Sequence, residues 1–327
     1  MLKRMINHAV VEFTITPVDP LLIKSGQATV GGVDMAFVRT YRRGNEEPEP
    51  FIPGSSLKGV VRSYAEMICR SLRVNPVPVC LPYVAPGREA HGEGNQASCG
   101  LRIEGYKRAQ QIPTVPTSDI YKISCPACRT FGSHAFIGRF ATSDAYLTDA
   151  FRQTGKAVLE VRDGVAIDRL TGGPAGGAKY DLEVLTRGEF GAGIEIRNFE
   201  RWQLGLLGLV LRDMADELVR IGLGKSRGLG RIRAEVTKFS VTSYARKLEG
   251  LTGLAGVCTT EETEAYGFAP EPGGEMVLPE PEVAGLRYTY DLTETWRDAL
   301  EPAVKDLTAY IESVSWPGDI RQYTGEG

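Results

Sequence analysis

The chain has 327 residues, with 38 Lys and Arg against 41 Asp and Glu, a formal net charge of −3 and a 42% hydrophobic fraction. Those values fit one large globular domain or two smaller ones with a real core. They exclude a membrane-spanning class, because no apolar run approaches the roughly 18–20 residues a span requires. The N-terminal stretch carries Asn7, His8, Glu12 and Asp19, which break the apolar core of a secretory leader, so export is not expected. Charge is unevenly spread. Residues 261–327 hold 15 acidic and 4 basic side chains, leaving 26 acidic and 34 basic in residues 1–260. A basic body with an acidic tail keeps nucleic acid open as a partner, which the net charge alone would argue against.

Residues 10–16 alternate apolar and polar as a half-buried strand should. Pro53-Gly54-Ser55-Ser56 is a helix start with Ser55 or Ser56 as the expected N-cap. Leu57, Val60, Val61, Tyr64, Met67, Ile68 and Leu72 then recur at helical spacing, predicting a helix to about Arg73. Lys58 and Arg62 lie four apart on one face near its N-terminus. Residues 74–130 combine prolines, glycines and four cysteines without a sustained period, so they read as an irregular insertion held by something other than a core.

Strand-like runs follow at 137–147, 157–162, 181–185 and 193–197. Between the second and third lies a glycine-rich stretch, 169–179, too long for a tight turn and read as a protruding loop. Residues 200–221 carry Trp202, Leu206, Leu207, Val210, Leu211, Met214, Leu218 and Ile221, a second helix. The run Gly222-Leu223-Gly224-Lys225-Ser226-Arg227-Gly228-Leu229-Gly230-Arg231 follows, then a strand from Ile232 to about Thr242. Residues 255–285 read as loop, and 291–314 return to helical spacing. Strand, helix, strands, helix, strand is the order of a ferredoxin-like, RRM-like βαββαβ core within an α+β fold.

Two segments place backbone amides beside basic side chains, as a phosphate backbone requires. They are 51–62, with Ser55, Ser56, Lys58 and Arg62, and the glycine-rich run, with Lys225, Ser226, Arg227 and Arg231. Neither has the order of a nucleotide-binding P-loop. Cys125-x-x-Cys128 is half of a zinc site, which Cys80 and Cys99 complete, with His91 as an alternative ligand; such a closed site would be structural. Cys69 reads as core.

Five ordered pieces of sequence resemble the RAMP superfamily of CRISPR proteins, and in particular the repeating backbone subunit of type III effector complexes. They are Gly31-Gly32-Val33-Asp34, residues 51–62, residues 125–132, residues 162–169 and the glycine-rich run. The resemblance covers about the first 240 residues and not the acidic tail.

It implies a core of residues 1–245 that binds CRISPR RNA, with an insertion at 74–132 and a thumb at about 163–182. Residues 246–327 would form an acidic extension with one helix. Within the thumb, Asp168, Arg169, Leu170 and Lys179 would wedge between guide and target. Asp34, in the loop after the first strand, would be the catalytic residue of a guide-directed endoribonuclease. Mg²⁺ or Mn²⁺ would assist there, leaving a cyclic phosphate and a 5′-hydroxyl, while Zn²⁺ would be structural. Implied partners are CRISPR RNA, target RNA, the large signature subunit and neighbouring backbone subunits, in the prokaryotic cytoplasm, for antiviral defence. The alternatives are a catalytically inactive guide-binding subunit and a CRISPR repeat-processing endoribonuclease. The latter usually relies on a histidine base, for which His8, His91 and His134 offer no evident pairing.

Overall fold

The computed structural model describes residues 2–26, 32–42, 44, 46–82 and 97–316. Gly31 and His91 lie outside the described residues, and with them one part of the Asp34 motif and the alternative zinc ligand. The first strand, β1 (Asn7–Pro17), alternates strictly: Ala9, Val11, Phe13 and Ile15 are buried and their neighbours face outward. A two-fold side-chain period on a one-sided sheet demands this pattern. It pairs antiparallel with β5 (Phe190–Arg197) on one side and β6 (Ile232–Tyr244) on the other, with a bulge at Glu12/Phe13 against β6.

Beyond β5 lies β2 (Phe140–Thr142), and beyond β6 lie β8 (Arg287–Asp291) and β7 (Glu282–Ala284). The sheet order is therefore β7-β8-β6-β1-β5-β2, every neighbouring pair antiparallel. Helix α1 (Gly54–Leu72) connects β1 toward β2, and α5 (Arg201–Ala215) connects β5 to β6.

Helix α1 buries Leu57, Val61, Ala65 and Cys69 toward the sheet. Met67, expected on that face, is 48% exposed. The N-cap is Pro53 and not a serine. The amide of Gly54 is instead satisfied by the carboxylate of Asp144, Oδ1 at 2.7 Å, from the segment that follows β2. Helix α5 opens with a capping box between Glu200 and Gln203 and ends at Ala215, short of the expected residue 221, after which the chain turns through Glu217 at positive φ.

The insertion is more ordered than its composition suggested. It holds α2 (Cys99–Gln110), α3 (Thr117–Lys122) and α4 (Pro126–Phe131), with a satellite core of Ile103, Tyr106, Val115 and Ile120. The glycine-rich stretch after Arg169 is also corrected. Only 168–173 form a turn, while β3 (Val158–Ile167) and β4 (Pro174–Arg187) pair as a long hairpin that stands apart from the main sheet. Glycines without side chains hid its alternation.

The C-terminal segment carries three α-helices among the described residues where one was expected, Thr260–Tyr266, Trp296–Ala299 and α6 (Glu301–Ser313). Helix α6 packs against α5. A Cβ at Gly205 would collide with the Ala303 carbonyl, Trp202 stacks on Tyr310 at 4.3 Å, and buried Arg201 donates to Asp306 at 2.5 Å. Small residues at such a crossing let the helix axes approach closely. The segment thus shares the core of the body. No helix among the described residues is long and apolar enough to cross a membrane.

Candidate metal centre and nucleic-acid groove

Cys80, Cys99, Cys125 and Cys128 converge from the end of the α1 connection, the first turn of α2 and the N-terminus of α4. Their sulfurs all lie within 4.8 Å of one another, and all four residues are buried. Cys80 and Cys128 are separated by 3.6 Å, Cys125 and Cys80 by 3.7 Å. A tetrahedron of thiolates around zinc, with bonds of about 2.3 Å, requires sulfur separations of ~3.8 Å. The donor set therefore fits, and the four cysteines can hold a metal such as zinc.

Backbone amides add to the fit: Cys128 N–H donates to Cys125 Sγ at 3.4 Å and Cys125 N–H to Cys99 Sγ at 3.3 Å. Burial pushes the Cys99 and Cys125 thiols up, whereas Cys80, accepting from the other three, is pushed down. A bound cation would let all four ionise. Cys69, also buried, is separate from this cluster and is pushed up to about 12 by desolvation.

Arg62 belongs to this centre. It donates to Cys128 Sγ at 3.6 Å, to Glu66 at 2.9 Å and to the Gly132 carbonyl at 3.1 Å. Burial alone would lower its pKa, but Cys128 and Glu66 outweigh that and hold it above its ordinary value. Lys58 leans the same way, donating to the Phe140 carbonyl at 3.3 Å, and is lowered by burial and by Arg62. Both face a cleft of about 740 Å³ that includes Cys128 and His134. The sequence grouped them with the phosphate cradle; the structure gives Arg62 a task at the cysteine centre.

The opposite side of α1 is different. Ser55 and Ser56 are exposed at its first turn. Ser56, Val60 and Ser63 form one wall of a second cleft, of about 400 Å³, whose other wall is Ile221, Gly222, Leu223 and Lys225, with Ile23 and Lys24 at its floor. The glycine-rich run is pinned at both ends: Leu223 N–H donates to Leu22 O at 2.8 Å and Gly230 N–H to Pro20 O at 2.9 Å. Gly222 and Gly230 have φ of 77° and 93°, and a Cβ at either would strike a backbone carbonyl, that of Leu22 or of Ile221. Only glycine permits that path. Between them Lys225 and Ser226 are exposed, and neither side chain has a hydrogen-bond or ion-pair partner among the described residues. Arg227 donates to Tyr180 Oη at 2.5 Å, and Arg231 is held by Asp19 and Glu217 at 3.2 and 3.8 Å.

Asp34 is exposed, and its Oδ2 accepts the backbone N–H of Asp181 in β4 at 3.0 Å. The segment after it is stitched along the same strand. Met35 bridges parallel to Leu182, Phe37 N–H donates to Glu183 Oε2 at 2.8 Å, and Arg39 forms a two-pronged pair with Glu183. Burial would raise Glu183, but Arg39 and the Phe37 amide hold it below the ordinary carboxylate range. Sequence reasoning singled out Asp34 but not Asp181, whose amide holds it, nor Glu183, which holds the segment after it, nor Tyr180, which meets Arg227. The alternation of Tyr180, Leu182 and Val184 with acidic residues was the available signal.

At the tip of the hairpin, Asp168 Oδ1 accepts from Leu170 N–H at 2.7 Å, closing the turn. Arg169 is exposed, Leu170 is 97% exposed, and Lys179 pairs with Asp163 at 3.4 Å. Val161, Val165 and Ile167 add further uncovered apolar surface along β3. Asp34 and Arg227 of the glycine-rich run thus meet β4 at adjacent residues midway along the hairpin, while the cysteines lie elsewhere. Among the histidines, His8 faces Glu195 at 3.5 Å and is lowered, chiefly by burial, and His134 lines the larger cleft. The cysteine quartet is the one possible metal cluster among the described residues.

The model of the RAMP superfamily matches residues 14–233, about two thirds of the chain, from within β1 into the start of β6. No individual curated protein matches.

Proposed function

The chain belongs to the RAMP superfamily, whose members bind CRISPR-associated RNA, and from that premise we propose that it is a guide-holding backbone subunit of a type III effector complex that cuts the RNA paired to its guide. The sheet order β6-β1-β5-β2, with α1 and α5 as crossovers, supports a ferredoxin-like core. One observation carries the functional reading. The first turn of α1 and the glycine-rich run, some 170 residues apart in sequence, form facing walls of a single groove with exposed Ser56 and Lys225. Phosphate contacts of this kind position a strand without reading its sequence, as a subunit accepting any guide must do.

The hairpin with exposed Leu170 and Val165 supports a wedge that splays the guide–target duplex, since bared apolar side chains can stack where bases part. Asp34 sits against the middle of that hairpin, beside Asp181. With Oδ2 held by the Asp181 amide, its other oxygen can take the proton of a ribose 2′-hydroxyl aligned with the scissile phosphate. Mg²⁺ or Mn²⁺, when bound there by one carboxylate, water and RNA phosphates, would neutralise charge on the phosphate. Zinc at the four cysteines would be structural, tying the insertion to α1 through Arg62. The C-terminal segment serves as a cover on α5, leaving the groove to the first 245 residues.

The test is cleavage of guide-complementary RNA by the reconstituted complex, wild type against Asp34→Ala. The reading predicts target binding within about twofold and cleavage reduced by at least ~10²-fold at the positions this subunit occupies. Unchanged cutting would leave a guide-binding scaffold.

A further inference from the structure

We propose that Tyr180 is a positioning residue for the Asp34 carboxylate, coupling contact at the glycine-rich run to the chemistry; this rests on the reading of Asp34 as the cleaving group. Tyr180 lies in β4 directly across from Gly164 in β3. A Cβ at Gly164 would collide with the Tyr180 ring, so the ring lies flat on the bare glycine and its direction is fixed by the hairpin itself. Its hydroxyl accepts from Arg227 Nη1 at 2.5 Å, which ties the hairpin to the glycine-rich run. The next residue, Asp181, donates its amide to Asp34 Oδ2 at 3.0 Å and accepts from Met35 N–H at 3.1 Å.

One peptide unit therefore separates the bond that reaches the groove from the bond that orients the carboxylate. An isolated two-stranded hairpin is marginally ordered in water, and β4 meets the body through the bridges Leu21↔Leu185 and Met35↔Leu182 and through Glu183. The hydroxyl of Tyr180 adds a side-chain link to the glycine-rich run beside the backbone bonds that join Asp181 to Asp34 and Met35. Arg227 spends one of its five N–H donors on Tyr180, so its remaining donors can take a guide phosphate without releasing the tyrosine. Guide binding would then stiffen the link from Arg227 through Tyr180 to Asp34. Catalytic carboxylates are sensitive to such placement, a 1 Å error costing up to about 10²-fold in rate.

The experiment uses the reconstituted complex with guide, measuring target affinity and single-turnover cleavage separately. Tyr180→Phe keeps the ring on Gly164 and removes only the hydroxyl. It is expected to slow cleavage on the order of tenfold with affinity unchanged within about twofold. Gly164→Ala, which displaces the ring, is expected to give the same split, and Arg227→Ala added to Tyr180→Phe should slow cleavage no further. Wild-type cleavage by Tyr180→Phe while Asp34→Ala is inactive would overturn the role of Tyr180 and leave the nuclease reading standing. Wild-type cleavage by Asp34→Ala would overturn both. A parallel loss of affinity and rate in Tyr180→Phe would make the tyrosine a general support of the hairpin and also overturn the proposal.

Discussion

The two sides of α1 divide the molecule into a closed region and an open one. On the cysteine side every strong group is spoken for: four buried sulfurs face one another, and Arg62 spends its donors on Cys128, Glu66 and Gly132. On the groove side Ser56 and Lys225 are exposed, and Asp34 uses one oxygen on a backbone amide. Two basic residues of one helix and loop system, Arg62 and Lys225, thus have opposite surroundings although the sequence presents them alike. A cation surrounded by partners contributes to stability, while an exposed one is left free to meet a phosphate, in a contact that salt screens.

The comparison breaks most visibly if metal is removed. Structural zinc in small domains contributes roughly 10–16 kcal/mol, comparable with the whole stability of a domain. Cys125→Ser, or exhaustive chelation, is expected to lose about one zinc per chain and the cooperative melting of the insertion. Elemental analysis with calorimetry checks this, and a metal-free chain with an unchanged melting profile would contradict it.

Next in size is a contrast within the glycine-rich run. Gly222 (φ 77°) has a backbone carbonyl where a side chain would go, whereas Gly228 (φ 76°) has open space within 4 Å. Gly228→Ala carries only the cost of the left-handed backbone, about 1–2 kcal/mol. Gly222→Ala adds a clash and should cost roughly 3 kcal/mol or more, with guide affinity lost as the run shifts. Denaturant melts and filter binding of the two variants would separate them; equal effects would mean the run is not pinned as described.

Smaller effects sharpen the division of labour. Lys225→Ala should weaken guide binding a few-fold and reduce the salt slope by about 1, without changing stability. Arg62→Lys should do the reverse, since a lysine cannot serve three partners in a plane. Titrating affinity against salt for both variants provides the check.

Acid should loosen the open side first. Glu183 is held below its ordinary value of 4.5, so it binds fewer protons folded than unfolded. The stability it contributes is full above that value and lost as pH falls through its lower folded one. Glu183→Gln should remove this acid sensitivity around residues 34–39, as followed by hydrogen exchange from about pH 6 down to about pH 3, a range that starts above the ordinary carboxylate value and continues below it.

Legibility in the sequence followed local pattern. The buried alternation of β1 and the apolar face of α1 were readable because one side of each is packed. The cysteine quartet was readable because Cys125 and Cys128 have the spacing of a metal-ligand pair and two further cysteines lie in the same irregular insertion. Helix α2 was not, since Ile103 and Tyr106 are its only fully buried large residues among charged neighbours. The hairpin was obscured by glycines at 172, 173, 176 and 177. The cap on α1 and the support of Asp34 were invisible for a different reason: Asp144 and Asp181 lie 90 and 147 residues from the groups they hold. No local spacing encodes such pairs.

The division into closed and open regions is tested most directly by hydrogen exchange of the chain with and without bound guide RNA. Protection is predicted at 20–26, the first turn of α1 and 221–231, extending to 34–39 and 179–185 when target is added, with α2 to α4 unchanged. Protection centred on residues 98–138, with the glycine-rich run still exchanging freely, would place the RNA in the larger cleft beside the cysteines and contradict the account.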